Sequence, residues 1–201
     1  MEPITVVTAT VNRPGLRRTC EAVQAQTLAP ALHVILLQQR MEDPTLNIPK
    51  PTRVPIEIHW LPPPQPHIVT ALNLVEGLAR TPLVAMLDDD CWWENDHLET
   101  LAGMMEETAA DFVWGSTVGH DAETDAPLWT RDDPTPAFQH LDTNEILFRR
   151  ENLAKWGGFM LEDHRGVDGR RIERWVRNGA VYAHSSKVTV HYGHRAVPAF
   201  P

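Results

Sequence analysis

Cysteine is nearly absent from this sequence: only Cys20 and Cys91 occur in 201 residues. Two separated thiols build neither a disulfide framework nor a zinc site, so both are read as free thiols in a reducing compartment. Long apolar runs are missing too. No stretch approaches the roughly 20 residues of a membrane-spanning helix, and no secretory leader is recognised, so a cytoplasmic location without a transmembrane segment is expected. Basic charge is in deficit, with 18 Lys and Arg against 27 Asp and Glu and a net charge of −9. That balance argues against nonspecific nucleic-acid binding. The phosphate-cradling loops GxGxxG and GxxxxGK[ST] are absent, as are GxSxG, CxxC and HExxH. A bound nucleotide must therefore be met by other means.

What is present describes a soluble globular domain, with 42% hydrophobic and 22% charged residues. Ile4 to Thr10 is β-branched and reads as a buried strand. Asn12 to Gly15 breaks it, Leu16 to Gln26 has helical spacing, and His33 to Leu37 is a second strand. A strand–helix–strand unit of this length implies a parallel crossover. Ile56 to Leu61 is expected as a third strand, followed by the proline run 62–66, and Thr70 to Arg80 as a helix. Leu83 to Leu87 is an apolar run, introduced by Thr81 and Pro82, that reads as a central strand. Asn95 or Asp96 caps a helix burying Leu98, Leu101 and Met105. Asp111 to Gly115 and Ile146 to Phe148 are further strands, Glu151 to Trp156 a short helix, Asp168 to Asn178 a helix stopped by Gly179, and Lys187 to Tyr192 a last strand. His120 to Ala137 is acidic and proline-bearing, and is expected to be a long mobile loop. The alternation predicts one α/β domain with a mostly parallel sheet and helices on both faces. Ligands of such sheets bind beyond the carboxyl ends of the strands, where Asn12 and Arg13, Gln38 and Gln39, and Asp88 to Asp90 would converge.

The three consecutive aspartates carry the most chemistry. They sit where a central strand ends, so strand alternation would put Asp88 and Asp90 on one face and turn Asp89 away. Adjacent carboxylates at the rim of a core repel unless a cation compensates them. A hard divalent ion, Mg²⁺ or Mn²⁺, held by one or two carboxylates and open to substrate phosphates, fits that need. The plainer alternative is an acidic loop capping the next helix. A basic excess between Arg165 and Arg195, seven residues against Asp168 and Glu173, is either an anion-binding surface or a solvated helix face.

Four segments in order resemble a known family: Val6 to Pro14 (VVTATVNRP) with Ala25 to Thr27, Leu87 to Leu98 (LDDDCWWENDHL), Phe148 to Glu151 with Trp156 to Phe159 (WGGF), and Val167-Asp168 leading to Arg174 and Gly179. The chain resembles the family-2 glycosyltransferases of the GT-A fold over nearly its whole length. That resemblance implies sugar transfer from a nucleoside-diphosphate-sugar donor to a hydroxyl acceptor (saccharide, lipid-linked or small molecule), usually with inversion and aided by Mn²⁺ or Mg²⁺. It implies a nucleotide-sugar-binding half over 1–95 and an acceptor-side half over 96–201 that includes the acidic loop 120–137. Asp88-x-Asp90 looks like the family's DxD motif, with Asp90 on the metal and Asp88 or Asp89 reaching the metal or the ribose. Ala9, Thr10, Val11, Asn12, Arg13, Gln38, Gln39, Asp88 and Asp89 would receive the nucleotide. Asp168 falls at the position of the general base, where the helix N-terminus should favour its ionised form; Glu162 and Asp163 are the other pair available. His191 and His194 follow where some relatives place a further metal ligand. The sequence also departs from the pattern: Val167 replaces a usual Glu, Gln38-Gln39 a common acidic pair, and Leu72 a frequent Arg. Those departures leave open a degraded module that binds nucleotide or a partner. A metal-dependent nucleotide-sugar hydrolase or nucleotidyltransferase would use the same aspartates.

Overall fold

The opening βαβ unit forms where its apolar periodicity predicts. The computed structural model describes residues 1–38, 47–61, 68–121, 123–136, 141–160 and 167–194, with backbone alone at positions 68, 167 and 194. Ile4–Thr10 is β1, Leu16–Gln24 is α1 and Leu32–Leu37 is β2. β2 runs parallel to β1, with Thr5 opposite Leu32. α1 buries Leu16, Thr19, Cys20 and Val23, the face its 3.6-residue period marks out. β3, Ile56–Trp60, extends the sheet parallel to β2. α2, Ile68–Leu78, returns the chain to β4, Leu83–Met86, which lies parallel to β1 on its other side.

The second part of the chain is less regular. β5 (Cys91–Trp93), α3 (His97–Thr108), β6 (Phe112–Asp121), β7 (Pro127–Arg131), β8 (Ile146–Arg149), α4 (Glu151–Trp156), α5 (Val167–Arg177) and β9 (Tyr182–His194) follow in order. The sheet runs β3-β2-β1-β4-β8-β6-β9-β5, with β7 paired to β6. β8 is antiparallel to both β4 and β6, whereas β9 is parallel to β6. The sheet is thus mixed, and its parallel half is the one that ends at the acidic segment.

The two faces carry separate apolar layers. Val7, Val34, Leu36 and Phe148 pack with Ala71 and Val75 of α2 and Ile172 and Trp175 of α5. Ile4, Val6, Ala85 and Val113 pack with Leu98, Leu101 and Met105 of α3 on the other. Helices on both faces are as expected. Both cysteines are buried free thiols; burial pushes Cys20 up to about 12. Among the described residues no helix is long and apolar enough to cross a membrane.

Three expectations change. The acidic segment 120–137 is not a loop throughout: Pro127–Arg131 forms β7, antiparallel to β6 with Trp129 opposite Gly119. A proline is tolerated there because it is the first residue of the strand, and Gly119 leaves room for the Trp129 ring, which a Cβ at 119 would strike. β5 was not anticipated, being a three-residue strand whose hydrogen bonds come from distant β9. β9 begins at Tyr182, five residues before the apolar alternation, because its polar first half pairs by backbone with β6.

Candidate functional site

β4 stops at Met86, while the Leu87 N–H still donates to the Val7 carbonyl at 3.0 Å. Asp88 to Asp90 then make a turn, closed by the Cys91 N–H to the Asp88 carbonyl at 3.2 Å. The turn overrides strand alternation, so Asp89 does not point away: all three aspartates line one cavity of about 250 Å³. Asp89 is buried, accepting from the Thr10 hydroxyl at 2.5 Å and from Arg13 Nη1 at 3.0 Å. Arg13 also reaches Asp90 at 3.4 Å. Asp89 thereby anchors the turn to the end of β1. Gly15 anchors it from α1, because a Cβ there would collide with the Asp89 carbonyl.

The far wall comes from a turn the sequence analysis overlooked. Thr143–Glu145 is a single 3₁₀ turn with a reciprocal capping box between Asp142 and Glu145. Asn144 is almost fully buried. Its Oδ1 accepts from the Asp88 N–H at 2.5 Å, and its Nδ2 donates to Asp88 Oδ2 at 3.0 Å and to Asp142 Oδ1 at 2.5 Å. One amide thus sets the direction of two carboxylates. The signal in the sequence is Asp142-x-x-Glu145 immediately before an apolar run, which is capping-box spacing.

Asp168 is the second residue of α5 and lines the same cavity, its carboxylate bonded by the Thr143 hydroxyl. Its acidity is the reverse of what its place at a helix N-terminus suggests. Burial first, and then the charges of Asp142 and Asp88, push its pKa well above the carboxylate range against the pull of Arg171. Asp88 is pushed up to about 7, by burial and then by Asp142, with the Asn144 hydrogen bond opposing. Asp90 is raised by burial and by Asp89. Four carboxylates, Asp88, Asp90, Asp142 and Asp168, therefore share a site with more negative charge than it can hold ionised.

Of the other residues expected at the nucleotide, Ala9, Thr10, Val11, Arg13 and Gln38 line this cavity, together with Leu72. Asn12 is not in the lining. It adopts a left-handed φ of 64°, and its Oδ1 accepts from the Asn47 N–H at 2.9 Å, so it shapes the β1–α1 loop. Gln39, Glu162 and Asp163 lie outside the described residues, as does the His194 side chain. His191 is not brought to the carboxylates. Its ring nitrogens lie 2.9 Å from His120 and 2.8 Å from Glu94, and its ring stacks on Trp92. The next residue, Tyr192, faces the cavity instead, as alternation along β9 requires.

The donor set suits a hard divalent cation. Every candidate ligand is a carboxylate oxygen, and the crowding that raises their pKa values is what a cation relieves. Among the described residues no group of three His, Cys, Asp or Glu side chains forms a metal cage. An ion of the Mg²⁺ type needs only one or two protein carboxylates and fills its remaining positions with water and phosphate oxygens.

An α/β domain whose acidic turn meets a helix-borne carboxylate beyond the strand ends is a GT-A-type domain. Its structural neighbours agree on the fold. The crystal structure of S. aureus TarS 1–349 superposes with a TM-score of 0.70 at 14% identity, covering 95% of this chain and 60% of that one. The same protein in complex with UDP-GlcNAc gives 0.67 at 14% identity, covering 98% of this chain and 60% of that one; its complex with UDP also gives 0.67 at 14%. The chain thus spans about 60% of these structures' length. The glycosyl transferase family 2 profile matches residues 5–165. This chain belongs to glycosyl transferase family 2. No curated protein sequence matches it.

Proposed function

We propose that this protein moves a sugar from a nucleoside-diphosphate-sugar donor to an acceptor hydroxyl with inversion at the anomeric carbon. The observation that carries the reading is the convergence of Asp168 with Asp88 and Asp90 in one cavity, although about 80 residues separate them in sequence. The neighbouring fold's complexes with UDP and UDP-GlcNAc support a nucleotide-sugar donor. Ala9, Thr10, Val11, Arg13 and Gln38 receive the nucleoside, with the Gln38 amide able to hydrogen-bond a base edge. Asp88 and Asp90 would hold a divalent cation, Mn²⁺ or Mg²⁺, and such an ion would supply charge neutralisation on the departing diphosphate. Asp168 accepts the proton of the acceptor hydroxyl as its oxygen bonds the anomeric carbon, and the bond to the diphosphate oxygen breaks with its electron pair leaving on the diphosphate.

A panel of nucleotide-sugars with Mn²⁺, read by mass spectrometry for diphosphate release and products, tests the reaction. A glycoside supports transfer, free sugar supports hydrolysis, and no turnover with retained nucleotide binding supports a binding module. Asp168→Asn keeps size but removes the proton acceptor, so transfer should fall roughly 10²-fold or more while nucleoside-diphosphate and Mn²⁺ binding persists. Asp90→Ala should instead abolish the metal-dependent part of nucleotide binding in calorimetry. Full transfer by Asp168→Asn would move the base elsewhere.

A further inference from the structure

The aspartates around the carboxylate cavity enter it with oxygens already engaged. Asp89 has both taken, Oδ2 by the Thr10 hydroxyl and Oδ1 by Arg13. Asp88 Oδ2 and Asp142 Oδ1 are both held by the Asn144 amide, at 3.0 and 2.5 Å. Asp168 takes the Thr143 hydroxyl. Asp90 is met only at longer range, by Arg13 at 3.4 Å and the Cys91 thiol at 3.6 Å. We propose that Asn144 determines which cation the site accepts: by holding one oxygen of Asp88 it limits that carboxylate to a single ligating oxygen, favouring Mg²⁺ and Mn²⁺ over Ca²⁺. This rests on the reading above in which Asp88 and Asp90 would hold a divalent ion.

The amide is fixed in the orientation that engages this oxygen. Its Oδ1 faces the Asp88 backbone N–H, which only donates, so the amide nitrogen must lie on the carboxylate side. Nδ2 then has two hydrogens for two carboxylates, one for Asp88 and one for Asp142. A half-turn of the amide would set N–H against N–H and its oxygen against both carboxylates. The backbone of Asn144 is pinned as well. The Trp93 indole donates to its carbonyl at 2.8 Å, and its own N–H donates to Asp142 Oδ1 at 3.0 Å. The residue is buried, so bulk water does not compete for these bonds.

Ligand number, not charge, separates the candidate ions, since all are divalent. Ca²⁺ takes about six to eight oxygens and readily accepts both oxygens of one carboxylate. Mg²⁺ is smaller, demands near-octahedral geometry and keeps several waters beside one or two carboxylates. A carboxylate with one oxygen already bonded suits the second ion and short-changes the first. The discrimination would thus come from an uncharged side chain that acts through Asp88, which makes Asn144 a positioning residue. Outer-shell partners of this kind typically change metal affinity by about 10- to 100-fold when removed.

Electron paramagnetic resonance of Mn²⁺ on the whole chain, with and without UDP, tests this, using Mg²⁺ and Ca²⁺ as competitors. In the wild type Mg²⁺ should displace Mn²⁺ at lower concentration than Ca²⁺ does. In Asn144→Ala, and in the size-matched Asn144→Leu, that preference should shrink about tenfold or reverse. A merely structural role for Asn144 would weaken all three ions alike and leave their ratio unmoved, which would overturn the proposal. So would a wild type that Ca²⁺ displaces as readily as Mg²⁺, a result that needs no variant to fold. Mn²⁺ bound neither to the chain alone nor with UDP would overturn the cation reading and this inference together. Bound Mn²⁺ with an unmoved ratio defeats only the role of Asn144. A shifted ratio with free sugar as the product defeats only the transfer reading and leaves that role standing.

Discussion

At the scale of single residues, Asp142 has the widest reach. It is bonded by the Asn144 amide, faces Asp168 and Asp88, and raises the pKa of both. Removing its charge as Asp142→Asn should lower the pKa of Asp168. On the proposed mechanism Asp168 is the base and works when deprotonated, so the acid limb of the kcat–pH profile should move to lower pH, with the limb belonging to the coupled carboxylates and not to one of them. A limb unmoved in the variant would separate Asp142 from the base. Asp168 was legible in the sequence because a helix pattern and a glycine stop fix its position. Its ionisation was not legible, because the charges that raise it come from positions 142 and 88, which no local pattern brings near. His191 shows the converse. Its position in the sequence suggested a ligand, but alternation along β9 delivers Tyr192 to the cavity and leaves His191 with Glu94 and His120.

At the scale of elements, close backbone approaches hold the pieces in register. The start of α1 meets the acidic turn at Gly15, where a methyl group would strike the Asp89 carbonyl. Gly15→Ala should therefore displace the turn and destabilise the fold by about 1–3 kcal/mol, read from the shift in urea midpoint, with metal-dependent nucleotide binding weakened in parallel. Stability unchanged would show that α1 moves freely against the turn. α2 and α5 are joined by a buried ion pair, Glu76 with Arg171, both under 2% exposed, with the guanidinium 4.0 Å from the Phe159 ring centroid. Arg171→Met strands the carboxylate and should cost about 3–5 kcal/mol, whereas the double change with Glu76→Leu should recover most of it. A double variant no better than the single would mean that the pair itself supplies the stability. The parallel strands β1, β2 and β4 were readable because both faces are buried and their sequences are nearly all apolar or β-branched. β7 was not, since its register depends on a glycine in β6, and acidic residues surround it.

At the scale of the molecule, pH acts on buried histidines away from the site. His33 in β2 and His97 in α3 are fully buried, and desolvation pushes each down to about 3 from an ordinary 6.5. Between those values the unfolded chain takes up a proton that the folded chain refuses. Stability therefore rises with pH across this window and falls on acidification, by up to about 1.4 kcal/mol per pH unit for each histidine. Urea melts from pH 7 to 4 should show that slope, shallower in His97→Phe, whose ring can keep the stack on Trp93. An equal slope in the variant would assign the acid sensitivity to other groups.

The pairing of β5 with β9 has a consequence in time. Cys91 lies opposite Tyr192, and the Gly193 N–H donates to the Asp90 carbonyl at 3.0 Å. The acidic turn is made early by the ribosome, but the strand that clasps it follows about a hundred residues later, and contacts so far apart in sequence are slow to form. A nascent chain halted before β9 would present its three aspartates without Tyr192 beside them. The clasp on the acidic turn therefore closes only when β9 docks, long after the turn itself has been made.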